Sequence, residues 1–167
     1  TTDLGQQAGF INQMYFRNET DGIIAGESST IRKTTNGGLT WDPVSIPVGT
    51  IGHSFRGLTF ANTTTGWLFS RSRKVFKTTD FGSNWDSLLS IPGDRLVYCA
   101  DFPSIDTGFV TGQIDMYKTT DGAQTWIQEN FPTNPPTGAH NSIFFVNSLK
   151  GWVCTYLGSI IHTNNGV

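Results

Sequence analysis

The sequence predicts an all-β protein, a β-propeller built of four-stranded antiparallel blades, and three observations carry that expectation. A phrase close to Lys-Thr-Thr-Asp-x-Gly-x-x-Trp returns along the chain, as KTTNGGLTW at 33–41, KTTDFGSNW at 77–85 and KTTDGAQTW at 118–126. Phenylalanine recurs at 16, 60, 102 and 145, spaced by 44, 42 and 43 residues, which is the period of a stacked supersecondary unit. Finally, only 14% of residues are charged, glycine (19 residues) and threonine are abundant, and helix-favouring runs of Ala, Glu, Lys and Leu are missing.

Each period reads as four short strands. The first ends at the leading Phe, and its alternate positions Met14/Phe16, Leu58/Phe60, Ala100/Phe102 and Ile143/Phe145 give one apolar face for a core. A polar turn follows, and a glycine at 22, 66, 108 or 151 opens the second strand, with an aromatic after it at Trp67, Phe109 and Trp152. The third strand carries Ile31, Val75/Phe76, Met116/Tyr117 and Ile160/Ile161. The repeated phrase then turns the chain, and its Trp opens the fourth strand. In that turn the Asp or Asn side chain and the Thr hydroxyl accept backbone N–H groups, the Gly supplies a positive φ, and the Trp buries a large face. These tasks are structural, and a carboxylate occupied by backbone donors has little capacity left for catalysis or metal.

The 167 residues amount to about one domain, read as a single segment with blades near 10–50, 51–93, 94–137 and 138–167, the last incomplete. A net charge of −2 argues against nucleic acid, which requires a basic face. No apolar run approaches the roughly 18 residues of a membrane span, and TTDLGQQ has no signal-like pattern, so the chain is cytosolic or its targeting segment lies elsewhere. Cys99 and Cys154 suit two buried free thiols, with a single bridge as the alternative. His53, His140 and His162 lack metal-ligand spacing and read as surface or channel imidazoles; no motif calls for a metal or a cofactor.

Thr34-x-Asn36-x-Gly38-x-Thr40-Trp41, Thr78-x-Asp80-x-Gly82-x-Asn84-Trp85 and Thr119-x-Asp121-x-Ala123-x-Thr125-Trp126 resemble the Asp-box, or BNR repeat. A fourth copy, Thr163-x-Asn165-Gly166-Val167, stops before its Trp. With the Phe and Gly-Trp elements added, the pattern from Phe16 to Val167 resembles the photosystem II stability/assembly factor family and its bacterial relatives. The resemblance implies a secreted, periplasmic or cell-surface propeller that binds a protein or glycan partner without catalysis. Asp-boxes also occur in sialidases, xyloglucan-degrading enzymes and sortilin-like receptors, so a piece of an Asp-box glycoside hydrolase of sialidase or glucanase type, or a carbohydrate-binding propeller, is the competing expectation. Propellers of this kind are expected to have about six to eight blades. Four suggest a segment of a larger ring; self-association of two chains through open edges, or a compact ring closed by the N-terminal strand, are further readings.

Binding residues are expected where the repeat varies, on the face opposite the turns. Four residues before each leading Phe stand Asn12, Arg56, Tyr98 and Asn141, and seven before stand Gly9, His53, Arg95 and Gly138. The second-to-third strand loops add Glu27, Arg71 and Arg73. Convergence of His53, Arg56, Arg71, Arg73, Arg95 and Tyr98 would suit bidentate recognition of carboxylate or phosphate, the alternative being that RSRK is a solvated hairpin tip. A sialidase would instead use Arg56, Arg71 and Arg95 with Tyr98 and nearby acids, for which only Glu27, Asp94, Asp101 and Asp115 are at hand, and no Phe-Arg-Ile-Pro motif is present. FPTNPPTG at 131–138 reads as a rigid loop between blades, Asn18 and Asn62 open glycosylation-like triplets in ordinary turns, and Trp67 and Trp152 suit packing between blades rather than sugar stacking.

Overall fold

The structure is a computed structural model that describes residues 9–47, 52–129 and 139–166. Among the described residues, fifteen strands form four antiparallel sheets, each a simple meander. The first holds β1 (Ile11–Phe16), β2 (Gly22–Gly26), β3 (Ile31–Thr34) and β4 (Asp42–Pro43). The second holds β5 (Phe55–Phe60), β6 (Gly66–Ser70), β7 (Val75–Thr78) and β8 (Asp86–Ser87). The third holds β9 (Val97–Asp101), β10 (Gly108–Gly112), β11 (Met116–Thr119) and β12 (Ile127–Glu129). The fourth holds β13 (His140–Phe145), β14 (Gly151–Thr155) and β15 (Ile160–Thr163). The inner strands β1, β5, β9 and β13 lie side by side in series, which gives a four-blade propeller arrangement.

The pairing of the leading Phe with the glycine of the neighbouring strand explains why both recur. The ring of each Phe lies flat over that glycine: a Cβ placed on Gly22, Gly66, Gly108 or Gly151 would stand only 2.6, 2.5, 2.2 or 2.4 Å from the rings of Phe16, Phe60, Phe102 and Phe145. The far side of the ring meets the preceding sheet. Trp67 stacks on Phe102 with centroids 3.7 Å apart, Phe109 on Phe145 at 3.6 Å, and Tyr15 on Phe60 at 4.5 Å. Three apolar clusters follow, one at each joint.

Polar links repeat with the same step. Lys33 Nζ donates to Ser83 Oγ at 2.8 Å, Lys77 Nζ lies beside Gly122, and Lys118 Nζ donates to the Gly166 carbonyl at 3.2 Å, each reaching the turn of the following sheet. The Trp67 indole donates to the Gly122 carbonyl at 3.1 Å. Asp101 joins three sheets, since its carboxylate accepts the N–H of Phe145 at 2.6 Å, that of Phe102 at 3.0 Å and the Thr59 hydroxyl at 3.5 Å.

Several expectations need correction. The apolar face of the inner strand is covered in the later sheets, but in the first Met14 is 67% exposed, because among the described residues no preceding sheet packs on it. Trp152 is likewise 40% exposed although its counterpart Trp67 is fully buried: burial at this position is supplied by the next sheet. The thiols are free, but only Cys99 is buried, its pKa pushed up to about 12 by burial; Cys154 is exposed on the same open face as Trp152. His140 is neither a surface nor a channel group: it is fully buried at the start of β13, its Nδ1 against the Thr111 hydroxyl, and burial lowers its pKa. The Pro-rich stretch 131–138, Gly138, Val167 and TTDLGQQ lie outside the described residues.

The Phe–Gly contact generates a direct test. Gly108→Ala forces the Phe102 ring off the neighbouring sheet and is expected to cost about 1–3 kcal/mol by overpacking, measured by urea unfolding.

Candidate functional site

The inner strands share an irregularity that places the site. In each, one residue is skipped in the pairing with its neighbour: Ile11 faces Gly26 and Gln13 faces Ala25, Phe55 faces Ser70 and Gly57 faces Phe69, Val97 faces Gly112 and Cys99 faces Thr111, His140 faces Thr155 and Ser142 faces Cys154. The extra residues are Asn12, Arg56, Tyr98 and Asn141. A bulge re-aims the side chain it carries, so the fold turns these four positions out of the regular ladder at one end of the inner strands. The Thr-x-Asp turns lie at the other end, since Thr34, Thr78, Thr119 and Thr163 pair with the glycines that open the second strands.

At the bulge end of the first two sheets lies a polar cluster. Arg56 is the hub: its Nη2 donates to Glu27 Oε1 at 2.8 Å, its Nη1 to Asn12 Oδ1 at 3.3 Å and its Nε to Ser54 Oγ at 3.2 Å. The Ser54 hydroxyl also donates to Glu27 at 2.9 Å, and Asn12 Nδ2 donates to Glu27 and to the Phe55 carbonyl. The Ser54 bond first, then Asn12 and the charges of Arg56 and Arg71, hold the Glu27 carboxyl below its ordinary pKa against the upward pull of burial. Arg71, exposed on the β6–β7 loop, stands over the Tyr98 ring with its guanidinium carbon 5.9 Å from the centroid.

The remaining candidates are drawn into other contacts. Arg73, at φ 68°, donates from Nη1 to the Arg95 carbonyl at 3.2 Å, and its Nε is buried without a partner among the described residues. Arg95 pairs with Asp115 at 3.4 Å, and His53 Nδ1 lies 3.1 Å from the Ser72 hydroxyl. The expected six-residue convergence therefore separates into an Arg56–Glu27 centre with Arg71 and Tyr98 beside it, an Arg73–Arg95 pair and a His53–Ser72 pair. Of the acids open to hydrolase chemistry, Glu27 and Asp115 are paired with arginines and Asp101 is engaged at the joint, with burial raising its pKa. Among the described residues no group of three or more His, Cys, Asp or Glu side chains could hold a metal. Ser54 and Ser72 were missing from the sequence-based set: they lie in loops whose lengths vary from blade to blade, so repetition gives no signal for them.

The turns at the opposite end are built alike. Thr34, Thr78, Thr119 and Thr163 each donate a hydroxyl to the Asn or Asp two residues on, at 2.9, 2.8, 2.8 and 2.8 Å. The same hydroxyls accept from Gly38, Gly82 and Ala123 N–H, and those three residues have φ of 85°, 68° and 75°. Trp41, Trp85 and Trp126 stand directly before the outer strands. For Asp121 the Thr125 hydroxyl and N–H are the main cause of a pKa lowered to about 2, while at Asp80 burial acts upward but is outweighed by Asn84, Thr78 and backbone donors, again giving about 2.

A folded-state carboxyl pKa below its unfolded value contributes stability above the unfolded pKa and loses it as pH falls toward the folded one. Thermal stability is therefore expected to decline between pH about 4 and about 2, and Asp80→Asn together with Asp121→Asn to flatten that decline. The amide of Asn36 already fills this role in the first turn, so both variants should fold, as circular dichroism melts across pH would show.

Against known proteins, residues 2–126 match the family model described as photosynthesis system II assembly factor YCF48. A search of curated proteins finds no match. Among solved structures, YCF48 bound to D1 peptide is similar with a TM-score of 0.70 and 19% identity, over 89% of this chain and 47% of that one. YCF48 from Cyanidioschyzon merolae is similar with a TM-score of 0.72 and 18% identity, over 93% and 53%. The computationally designed Ika4 protein is similar with a TM-score of 0.69 and 12% identity, over 99% and 96%. The chain spans about half the length of the two YCF48 structures. With its propeller fold and a family match over most of its length, this chain belongs to the photosynthesis system II assembly factor YCF48 family.

Proposed function

We propose that this chain is a non-enzymatic, assembly-factor-like propeller that binds a protein segment through the bulge end of its first three sheets, using carboxylate groups on that segment. The observation that carries this reading is Arg71. Its guanidinium is exposed, has no ion pair or hydrogen bond among the described residues, and stands over Tyr98 beside the already neutralised Arg56–Glu27 pair. Such a guanidinium can take a carboxylate bidentately while the aromatic ring shapes the apolar wall next to it. Arg56 serves as the fixed base of the site, since its three bonds to Glu27, Asn12 and Ser54 hold the loops in place. A YCF48 has been solved with a D1 peptide, which supports a protein segment as the partner class. An extracytoplasmic setting is part of the same proposal and rests on the family resemblance.

A D1-derived peptide is the probe, titrated by fluorescence anisotropy. Arg71→Ala is expected to weaken binding by about tenfold or more, the loss of one charge-assisted hydrogen bond, and added salt to weaken the wild type but not the variant. Equal affinity of the two proteins, or no binding of the peptide by either, contradicts the reading.

A further inference from the structure

The residue that follows each second strand is anchored in the same way. It donates its N–H to the carbonyl of the residue directly before the inner strand: Glu27 to Phe10 at 2.8 Å, Arg71 to Ser54 at 2.7 Å, Gln113 to Leu96 at 3.3 Å and Tyr156 to Ala139 at 2.8 Å. Glu27 and Arg71 are therefore equivalent positions in adjacent sheets, opposite in charge and presented at the same end. The backbone fixes Glu27 independently of its side chain, since Ser28 and Ser29 take φ of 54° and 60° and the Thr30 N–H closes the turn on the Glu27 carbonyl at 3.0 Å.

The two carboxylate oxygens of Glu27 are used unequally. Oε1 accepts from Arg56, Ser54 and Asn12, whereas Oε2 accepts no hydrogen bond among the described residues, and the side chain is 28% exposed. The lowered pKa of this carboxyl keeps it anionic at neutral pH, and Arg71 is one of the charges that lower it. Arg56 and Arg71 set against Glu27 leave one positive charge, which a single carboxylate on Arg71 balances. An ammonium brought to Oε2 would face both guanidinium groups, and a second carboxylate would face Oε2 itself. A neutral N–H donor satisfies Oε2 without either penalty.

We propose that Glu27 is a specificity-determining residue of this face: beside the carboxylate that Arg71 takes, it selects a neutral donor such as an Asn or Gln amide and rejects a second carboxylate. The inference rests on the carboxylate-binding role of Arg71 and adds a second feature to the segment bound there. Attraction of the amide and repulsion of the acid act together, as discrimination between similar partners requires.

Glu27→Gln separates the two, because its amide keeps an acceptor oxygen for Asn12, Ser54 and Arg56 and places a donor where Oε2 stood. Randomised nonapeptides displayed on phage and selected on the wild-type protein are expected to return one Asp or Glu with an Asn or Gln at a fixed spacing from it. In fluorescence anisotropy with one such peptide, changing that amide residue to its acid is expected to weaken wild-type binding by about tenfold and to cause no loss in Glu27→Gln. The selection uses the wild type alone, so it decides even where Glu27→Gln does not fold. Acidic peptides with no donor at a fixed spacing, or an amide-to-acid change that weakens both proteins equally, overturn the role of Glu27 and leave that of Arg71 standing. Selected peptides without an acid, or no enrichment at all, overturn both.

Discussion

The structure depends on a ring laid flat over a glycine. Phe60, Phe102 and Phe145 each occupy the space that a Cβ on Gly66, Gly108 or Gly151 would fill, and only in that position can the other face of the ring meet the preceding sheet. One contact therefore sets both the strand pairing inside a blade and the spacing between blades. Aromatic stacking adds about 0.5–1.5 kcal/mol per pair beyond the area it buries, so three joints of this kind are a substantial part of the marginal stability of a domain this size. The lysine and indole bonds to the following turn then fix the rotation of one sheet against the next.

The functional end follows from that frame. Because the leading Phe pins one end of each inner strand, the irregularity in the ladder falls at the other end, where a bulge turns Asn12, Arg56, Tyr98 and Asn141 out of register. Position is thus conserved around the ring while side-chain chemistry changes from amide to guanidinium to phenol. The Thr-x-Asp turns act as fasteners on the opposite side. Their tolerance is visible within this one chain: an amide at Asn36 makes the bonds that carboxylates make at Asp80 and Asp121, and Ala123 adopts the positive φ taken by Gly38 and Gly82. A Cβ is accepted at 123, where the methyl is fully buried in the joint, whereas one on Gly82 would stand 2.5 Å from Ile23.

Much of this was legible in the sequence because repetition compares a residue with its own counterparts. The strand order, the role of the Phe and Gly, and the four equivalent positions before each Phe all come from aligning the chain on itself. The bulges were not legible, since a bulge is a property of two paired strands and leaves no mark in one. Nor was the engagement of Arg56 by Glu27, which links the inner strand β5 to the β2–β3 loop of the preceding sheet, or the Arg95–Asp115 pair. The exposure of Trp152 and Met14 escaped the pattern for a different reason: their types match buried counterparts, and burial is conferred by a neighbouring sheet rather than by the residue.

A double-mutant cycle on Trp67 and Phe102, with each replaced by Ala singly and together and stability read by urea unfolding, tests the joint most directly. The stacked rings, 3.7 Å apart, predict that the two losses are coupled by about 0.5–1.5 kcal/mol. Additive losses would mean that the rings fill space independently and that the register between blades is set elsewhere.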